Sequence, residues 1–112
     1  MIGIFGGTFD PVHYGHIKPA LSVQQALNLA QIRFIPNSIP PHRDVPWLNS
    51  EQRLALLKCA LHNISDVCID ERELHRDGPS YMVETLQSLK QDMPDEALCL
   101  IIGMDAFYGI TS

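Results

Sequence analysis

An α/β fold with a parallel sheet covered by helices on both faces is predicted for this 112-residue chain from three observations. Short apolar runs alternate along it with stretches of three- and four-residue apolar spacing. Glycine or proline closes three of the runs, and each helical stretch lies between two of them, as βαβ units require. Finally, 46% hydrophobic and 19% charged residues are enough apolar material for one core in a modest domain.

The elements follow in order. Residues 1–6 read as a short buried strand ending in glycines. Residues 16–30 read as a helix, with Ile17, Ala20, Val23, Leu27 and Ala30 on one face and Pro19 in the first turn, where a missing N–H costs least. Ile32–Ile35 is a second strand, stopped by Pro36, and a polar, proline-rich loop runs from Asn37 to Asn49. Ser50 is the expected N-cap of a helix burying Leu54, Leu57 and Leu61. Val67–Ile69 is a third strand. Gly78-Pro79-Ser80 leads into a helix carrying Val83, Leu86, Leu89 and Met93. Leu98–Ile102, the most apolar run, reads as a central strand closed by Gly103. Met104–Tyr108 then opens a further helix before the sequence stops at Ser112. The class is Rossmann-like α/β, and residues 1–112 are expected to be the N-terminal part of a single domain whose C-terminal remainder is absent.

Bulk properties exclude several functions. The formal charge of −5 opposes a nucleic-acid binder, which needs a basic face. Small anions respond to local field instead, and His13, His16, Lys18, His42 and Arg43 all fall in the first 43 residues. The opening Met1–Phe5 lacks a basic flank and reaches Gly6-Gly7 too soon for a signal peptide or membrane span. Cys59, Cys68 and Cys99 are odd in number and lack zinc-ligand spacing, which fits a reducing cytoplasm.

Ligands of such sheets bind at the carboxyl ends of the strands, over the first loop. Here that loop is Gly6–Gly15. Gly6 and Gly7 let a phosphate approach the backbone, and Asp10-Pro11 fixes a turn. His13 and His16, three apart at a helix start, turn both imidazoles to one side. The helix N-terminus adds open N–H groups and partial positive charge, and Lys18 lies nearby. The dinucleotide pattern GxGxxG is not matched. Each feature alone is ordinary: a turn, a surface pair of histidines, a polar loop. Their occurrence together, in order and on the right elements, points to a phosphate site.

The run GGTFDPVHYGH at residues 6–16 resembles the GxxFDxxHxGH signature of nucleotidyltransferases. Pro41-His42-Arg43 resembles the PHR element of bacterial nicotinate-nucleotide adenylyltransferases. Glu71–Leu74 with Arg76 and Gly78-Pro79-Ser80-Tyr81 resembles their ExxRxGPSY region, and Ile102-Gly103-Met104-Asp105 their IGxD motif. The similar phosphopantetheine adenylyltransferases usually have Thr where His13 stands.

The resemblance implies transfer of the adenylyl group of ATP to nicotinate mononucleotide, giving deamido-NAD and pyrophosphate in NAD biosynthesis. It implies His13, His16 and Arg43 as catalytic residues. Gly6, Gly7, Thr8, Phe9, Lys18, Gly103 and Asp105 would bind ATP, and His42, Tyr81 and Met82 the mononucleotide. No carboxylate cluster marks a protein-held metal, so Mg²⁺ is expected to come with ATP. Met82 stands where the family usually has Thr, which keeps the N–H, loses the hydroxyl and leaves nicotinate against nicotinamide open. Family members are longer and carry a ring-stacking Trp and a Ser/Thr-and-Arg triphosphate element beyond the last motif. Two alternatives therefore stand beside the enzyme: a non-catalytic nucleotide-binding fragment, or a nucleotidyltransferase for another phosphate acceptor. An open sheet edge would invite pairing between copies, so homo-oligomers are a further expectation. Glu71, Arg72, Glu73, Arg76 and Asp77 read as solvated loop charges, and His62 and His75 as residues outside the chemistry.

Overall fold

The computed structural model describes residues 1–7, 9, 12, 14–37, 48–75 and 82–101, apart from the side chains of Tyr14 and Met82. Within these residues the order is β1 (Ile2–Gly7), α1 (Tyr14–Leu27), β2 (Gln31–Pro36), α2 (Ser50–Leu61), β3 (Val67–Ile69), α3 (Met82–Asp92) and β4 (Leu98–Ile101). The strands form one parallel sheet in the order β3-β2-β1-β4. The chain winds outward from β1 through β2 to β3, then crosses back over β1 to β4. That reversal puts a topological switch point between β1 and β4.

Period-two alternation in the strands divides the core between two faces. Phe5, Ile32, Phe34, Val67, Ile69, Cys99 and Ile101 join Ile17 and Ala20 of α1 and Leu57 and Leu61 of α2. On the other face Ile2, Ile4, Ile35, Leu98 and Leu100 pack with Leu86 and Leu89 of α3. The expected α/β class is therefore observed. Gly3 has its own packing reason: a Cβ there would lie 2.9 Å from Leu29 Cδ1 and 3.2 Å from Ile101 Cδ1.

Several boundaries move, each for a local reason. Helix α1 starts at Tyr14 rather than residue 16, so Pro19 is its sixth residue, where it forgoes one intrahelical hydrogen bond. The same helix stops at Leu27 rather than 30. Asn28 adopts φ 53° and donates to Gln25 O, while Leu29 N donates to Gln24 O at 2.9 Å. This is a Schellman termination with Asn in the left-handed position. The N-cap of α2 is Asn49, not Ser50. Asn49 Oδ1 accepts from Gln52 N at 2.8 Å and Gln52 Oε1 accepts from Asn49 N at 3.1 Å, a reciprocal box that Ser50 with Arg53 could not make.

Two expectations about burial are corrected. Helix α2 buries Arg53, Leu57 and Leu61, while Leu54 is only half-buried. The apolar run 98–102 has the composition of a central strand, yet among the described residues β4 is the outer strand and half-buried throughout. An apolar run reports two covered faces rather than two neighbouring strands.

Candidate functional site

The switch point brings together the ends of β1 and β4. Phe5 pairs with Ile101, so Gly6 and Gly7 continue β1 past the last described residue of β4. On the other side Gly6 and Gly7 pair with Ile35 and Pro36. Asn37 N then donates to Gly7 O at 2.9 Å, tying the ends of β1 and β2 together. The expected phosphate loop thus leaves the sheet from a fixed edge.

Phe9 anchors the chain just beyond β1. It is 2% exposed and sits at φ 50°, a left-handed conformation that a bulky residue adopts only when its surroundings enforce it. Its ring lies 5.7 Å from that of Phe5 and 6.0 Å from that of Phe34. A Cβ on Gly7 would come within 3.2 Å of the Phe9 ring, so glycine lets the loop fold down onto the aromatic. The ring also meets the His16 imidazole edge to face, at 5.4 Å and 89°. Phe9 is therefore buried between the end of β1, β2 and the first turn of α1.

His16 is the third residue of α1 and half-buried, where the helix N-terminus contributes positive potential. Lys18 is exposed two residues further on and engages in an interaction of its own. Met82 opens α3. Gly6, Gly7, Phe9 and His16 are thus brought together at one strand-to-helix junction. Thr8, His13, His42, Arg43, Tyr81, Gly103 and Asp105 lie outside the described residues.

The stretch after β3 is more ordered by charge than its composition suggests. Arg72 donates through Nε to Asp70 at 2.9 and 3.0 Å, through Nη1 to Ser88 Oγ at 2.7 Å and through Nη2 to Asp92 at 2.8 Å. Arg33 Nη1 donates to the same Asp70 at 3.0 Å. Glu73 is buried and accepts from the buried Thr85 hydroxyl of α3. Arg72 and Glu73 are thus not solvated loop charges. They fasten the segment leading to Gly78–Tyr81 onto α3 and β2. His75 is exposed and 3.9 Å from Glu71, and His62 caps α2.

Asp70 gives this network a pH signature. Burial alone would raise its carboxyl, but hydrogen bonds from Arg72 and Arg33 outweigh that and hold it below the ordinary value. A carboxylate with a depressed folded value contributes stability above its unfolded value of about 3.9, and the contribution fades as pH falls through the folded value. Asp70→Asn should therefore lower the urea midpoint at neutral pH. The gap to the unmodified protein should close on acidification below about pH 4. A gap independent of pH would show that Asp70 contributes through packing rather than charge.

Among the described residues no three His, Cys, Asp or Glu come together as metal ligands, and all three cysteines are free. Burial, the largest influence on the half-buried Cys68, pushes its thiol up, which leaves it a poor nucleophile. None of the described helices is long and apolar enough to cross a membrane.

With this geometry in hand, comparison with known proteins decides the family. A model described as cytidylyltransferase-like matches residues 4–112. The chain belongs to the cytidylyltransferase-like family. It is 51% identical over 109 residues to a protein of Halorhodospira halophila named "Probable nicotinate-nucleotide adenylyltransferase", covering 97% of this chain and 50% of that one. A protein of the same name from Aeromonas salmonicida is 50% identical over 111 residues, 99% of this chain and 52% of its own. The chain thus spans about half the length of the curated relatives it matches. Among solved structures, Plasmodium falciparum nicotinic acid mononucleotide adenylyltransferase complexed with NaAD superposes with a TM-score of 0.79 at 19% identity. It covers 99% of this chain and 55% of that one, which shows the shared Rossmann-like fold.

Proposed function

We propose that this chain belongs to an enzyme that transfers the adenylyl group of ATP to nicotinate mononucleotide, releasing pyrophosphate and forming deamido-NAD. The observation that carries the reading is GGTFDPVHYGH running from the end of a central strand into a helix start, at the switch point of a parallel sheet. The relatives' names support the acceptor.

In this reading the 5′-phosphate of the mononucleotide attacks the α-phosphorus of ATP in line. The new P–O bond forms as the bond to the bridging oxygen of the β-phosphate breaks, and pyrophosphate leaves with that oxygen. Little covalent work falls to the protein, so positioning and charge stabilisation dominate. His16 and His13 donate hydrogen bonds to the phosphates as negative charge moves toward the leaving group. Gly6, Gly7 and Thr8 hold phosphate through the backbone, and Lys18 adds positive potential. Gly103 and Asp105 take the adenosine ribose, the carboxylate accepting from both hydroxyls. Arg43 reaches a phosphate, with His42, Tyr81 and the Met82 N–H on the mononucleotide side. Phe9 acts from below as the support of the loop. Mg²⁺ would ride on the phosphate oxygens and neutralise their charge; the described residues offer no cage for it. The cytoplasm, where ATP is plentiful and thiols stay reduced, is the proposed compartment.

The test is adenylyl transfer, followed as pyrophosphate release, by a protein of the relatives' length. Nicotinate mononucleotide, its amide and phosphopantetheine would compete as acceptors. A clear preference for the first is expected, and equal use of all three would remove the assignment. Assaying the 112-residue chain alongside separates catalysis from nucleotide binding alone: binding without turnover would favour the nucleotide-binding reading for this stretch.

A further inference from the structure

Aromatic rings cluster where β1 leaves the sheet. Phe5 and Phe34 are register partners on β1 and β2, and their rings stack at 5.5 Å and 15°. The strand ladder fixes both, so they form a rigid base. Phe9 rests against the pair and also meets the His16 imidazole, at 5.4 Å and 89°. It takes this place through a left-handed backbone, φ 50°, and such conformations gather where function needs a fixed geometry. Ile17 and Ala20, buried in the same cluster, hold the backbone of α1 against the sheet. What they leave open is the imidazole itself. His16 is half-buried, and the χ2 torsion of histidine is broad and nearly two-fold, so helix geometry alone does not aim a ring nitrogen. A perpendicular ring beside it narrows that arc, because edge-to-face is a preferred aromatic geometry that rotation would give up.

We propose that Phe9 is a positioning residue for His16: its buried ring, seated on Phe5 and Phe34, holds the plane of the imidazole and so aims the nitrogen that donates to the phosphates. The order of the sheet is thereby passed to a side chain on a helix through one ring. A hydrogen bond weakens steeply as the donor turns out of line, and a donor aimed in advance needs no reorganisation when charge develops. An aliphatic side chain of similar volume could fill the space, yet it offers no ring face or edge to set the imidazole plane. The role rests on the adenylyl-transfer reading, in which His16 donates to the phosphates.

The experiment is a double-mutant cycle between Phe9→Leu and His16→Ala in a protein of the relatives' length. It is read as kcat and KM for adenylyl transfer, with thermal midpoints in parallel. Leu61→Ala, in the same core but at the C-terminal end of α2, is the destabilised control. Phe9→Leu is expected to lower kcat per folded molecule about tenfold, short of the roughly 100-fold that a 1 Å misplacement can cost. KM for ATP should stay within about threefold, since the aim of the donor matters most in the transition state. In the His16→Ala background the same substitution should lower kcat by less than about twofold, because groups acting as a unit are not additive. Leu61→Ala should lose stability and keep kcat per folded molecule. A loss of about tenfold that persists without the His16 imidazole would reduce Phe9 to a packing residue. So would an unaltered kcat in Phe9→Leu, or one that falls equally in Leu61→Ala. If His16→Ala keeps its rate, the reading that puts His16 on the phosphates fails first and takes this role with it.

Discussion

His16→Ala is expected to reduce adenylyl transfer by about 100- to 1,000-fold, the usual cost of removing one preorganised donor to a developing anion. Stability should change little. The substitution removes the edge-to-face meeting with Phe9 at 5.4 Å, and such ring pairs contribute about 0.5–1.5 kcal/mol beyond their buried area. In a protein of this size that is a shift of a few degrees in Tm. The imbalance between a large kinetic and a small thermal effect is what distinguishes a phosphate donor from a packing residue. The loss should appear in kcat rather than in KM for ATP, because charge redistribution strengthens the hydrogen bond as the reaction proceeds. His16→Asn retains an N–H donor and should recover part of the rate. Activity within about threefold of the unmodified protein for the alanine variant would remove His16 from the chemistry.

How far such a site is legible from sequence depends on whether its members are neighbours in the chain. Gly6, Gly7, Phe9 and His16 fall within eleven residues, so motif and element pattern together place them at one strand-to-helix junction. The strands are equally accessible, because alternation such as Ile2 and Ile4 against Gly3 and Phe5 assigns faces directly. Arg53 is not legible. Two of its partners are backbone carbonyls 16 residues earlier and 5 earlier, and a carbonyl carries no sequence signature. Both Leu54-Leu57-Leu61 and Arg53-Leu57-Leu61 are helical faces, and hydrophobicity favours the former. Glu73 escapes for the same reason, being rescued from its desolvation cost by the Thr85 hydroxyl on a helix that starts nine residues later. The setting of Phe9 is hidden differently: the motif singles it out, but only the structure shows its left-handed φ and its burial. Signals for the helix ends are present, in the N-x-x-Q spacing of Asn49 and Gln52 and in Asn28 as a left-handed terminator.

Phe9→Ala is expected to cost about 3–5 kcal/mol in unfolding free energy, the range for emptying a buried aromatic site. That is a large part of the roughly 5–15 kcal/mol that ordinarily stabilises a domain. The ring fills the space enclosed by Phe5, Phe34, His16 and Gly7, so its removal leaves a gap bounded by two rigid strands and unable to collapse easily. Backbone strain adds a second, separable part. Alanine keeps a Cβ at φ 50°, whereas glycine adopts that conformation freely. Phe9→Gly should therefore be more stable than Phe9→Ala by about 1 kcal/mol, the reverse of the order for a helix or strand interior. Phe9→Leu, which retains most of the volume, should fall between these variants and the unmodified protein. Denaturant unfolding of the three variants measures both parts at once. Catalysis should suffer beyond the loss of folded protein, because Gly7 would no longer be seated against the ring and the phosphate loop would lose its floor. A Phe9→Ala protein destabilised by less than about 1 kcal/mol would mean that the ring is dispensable, and Phe9→Ala more stable than Phe9→Gly would mean that the left-handed turn imposes no strain there.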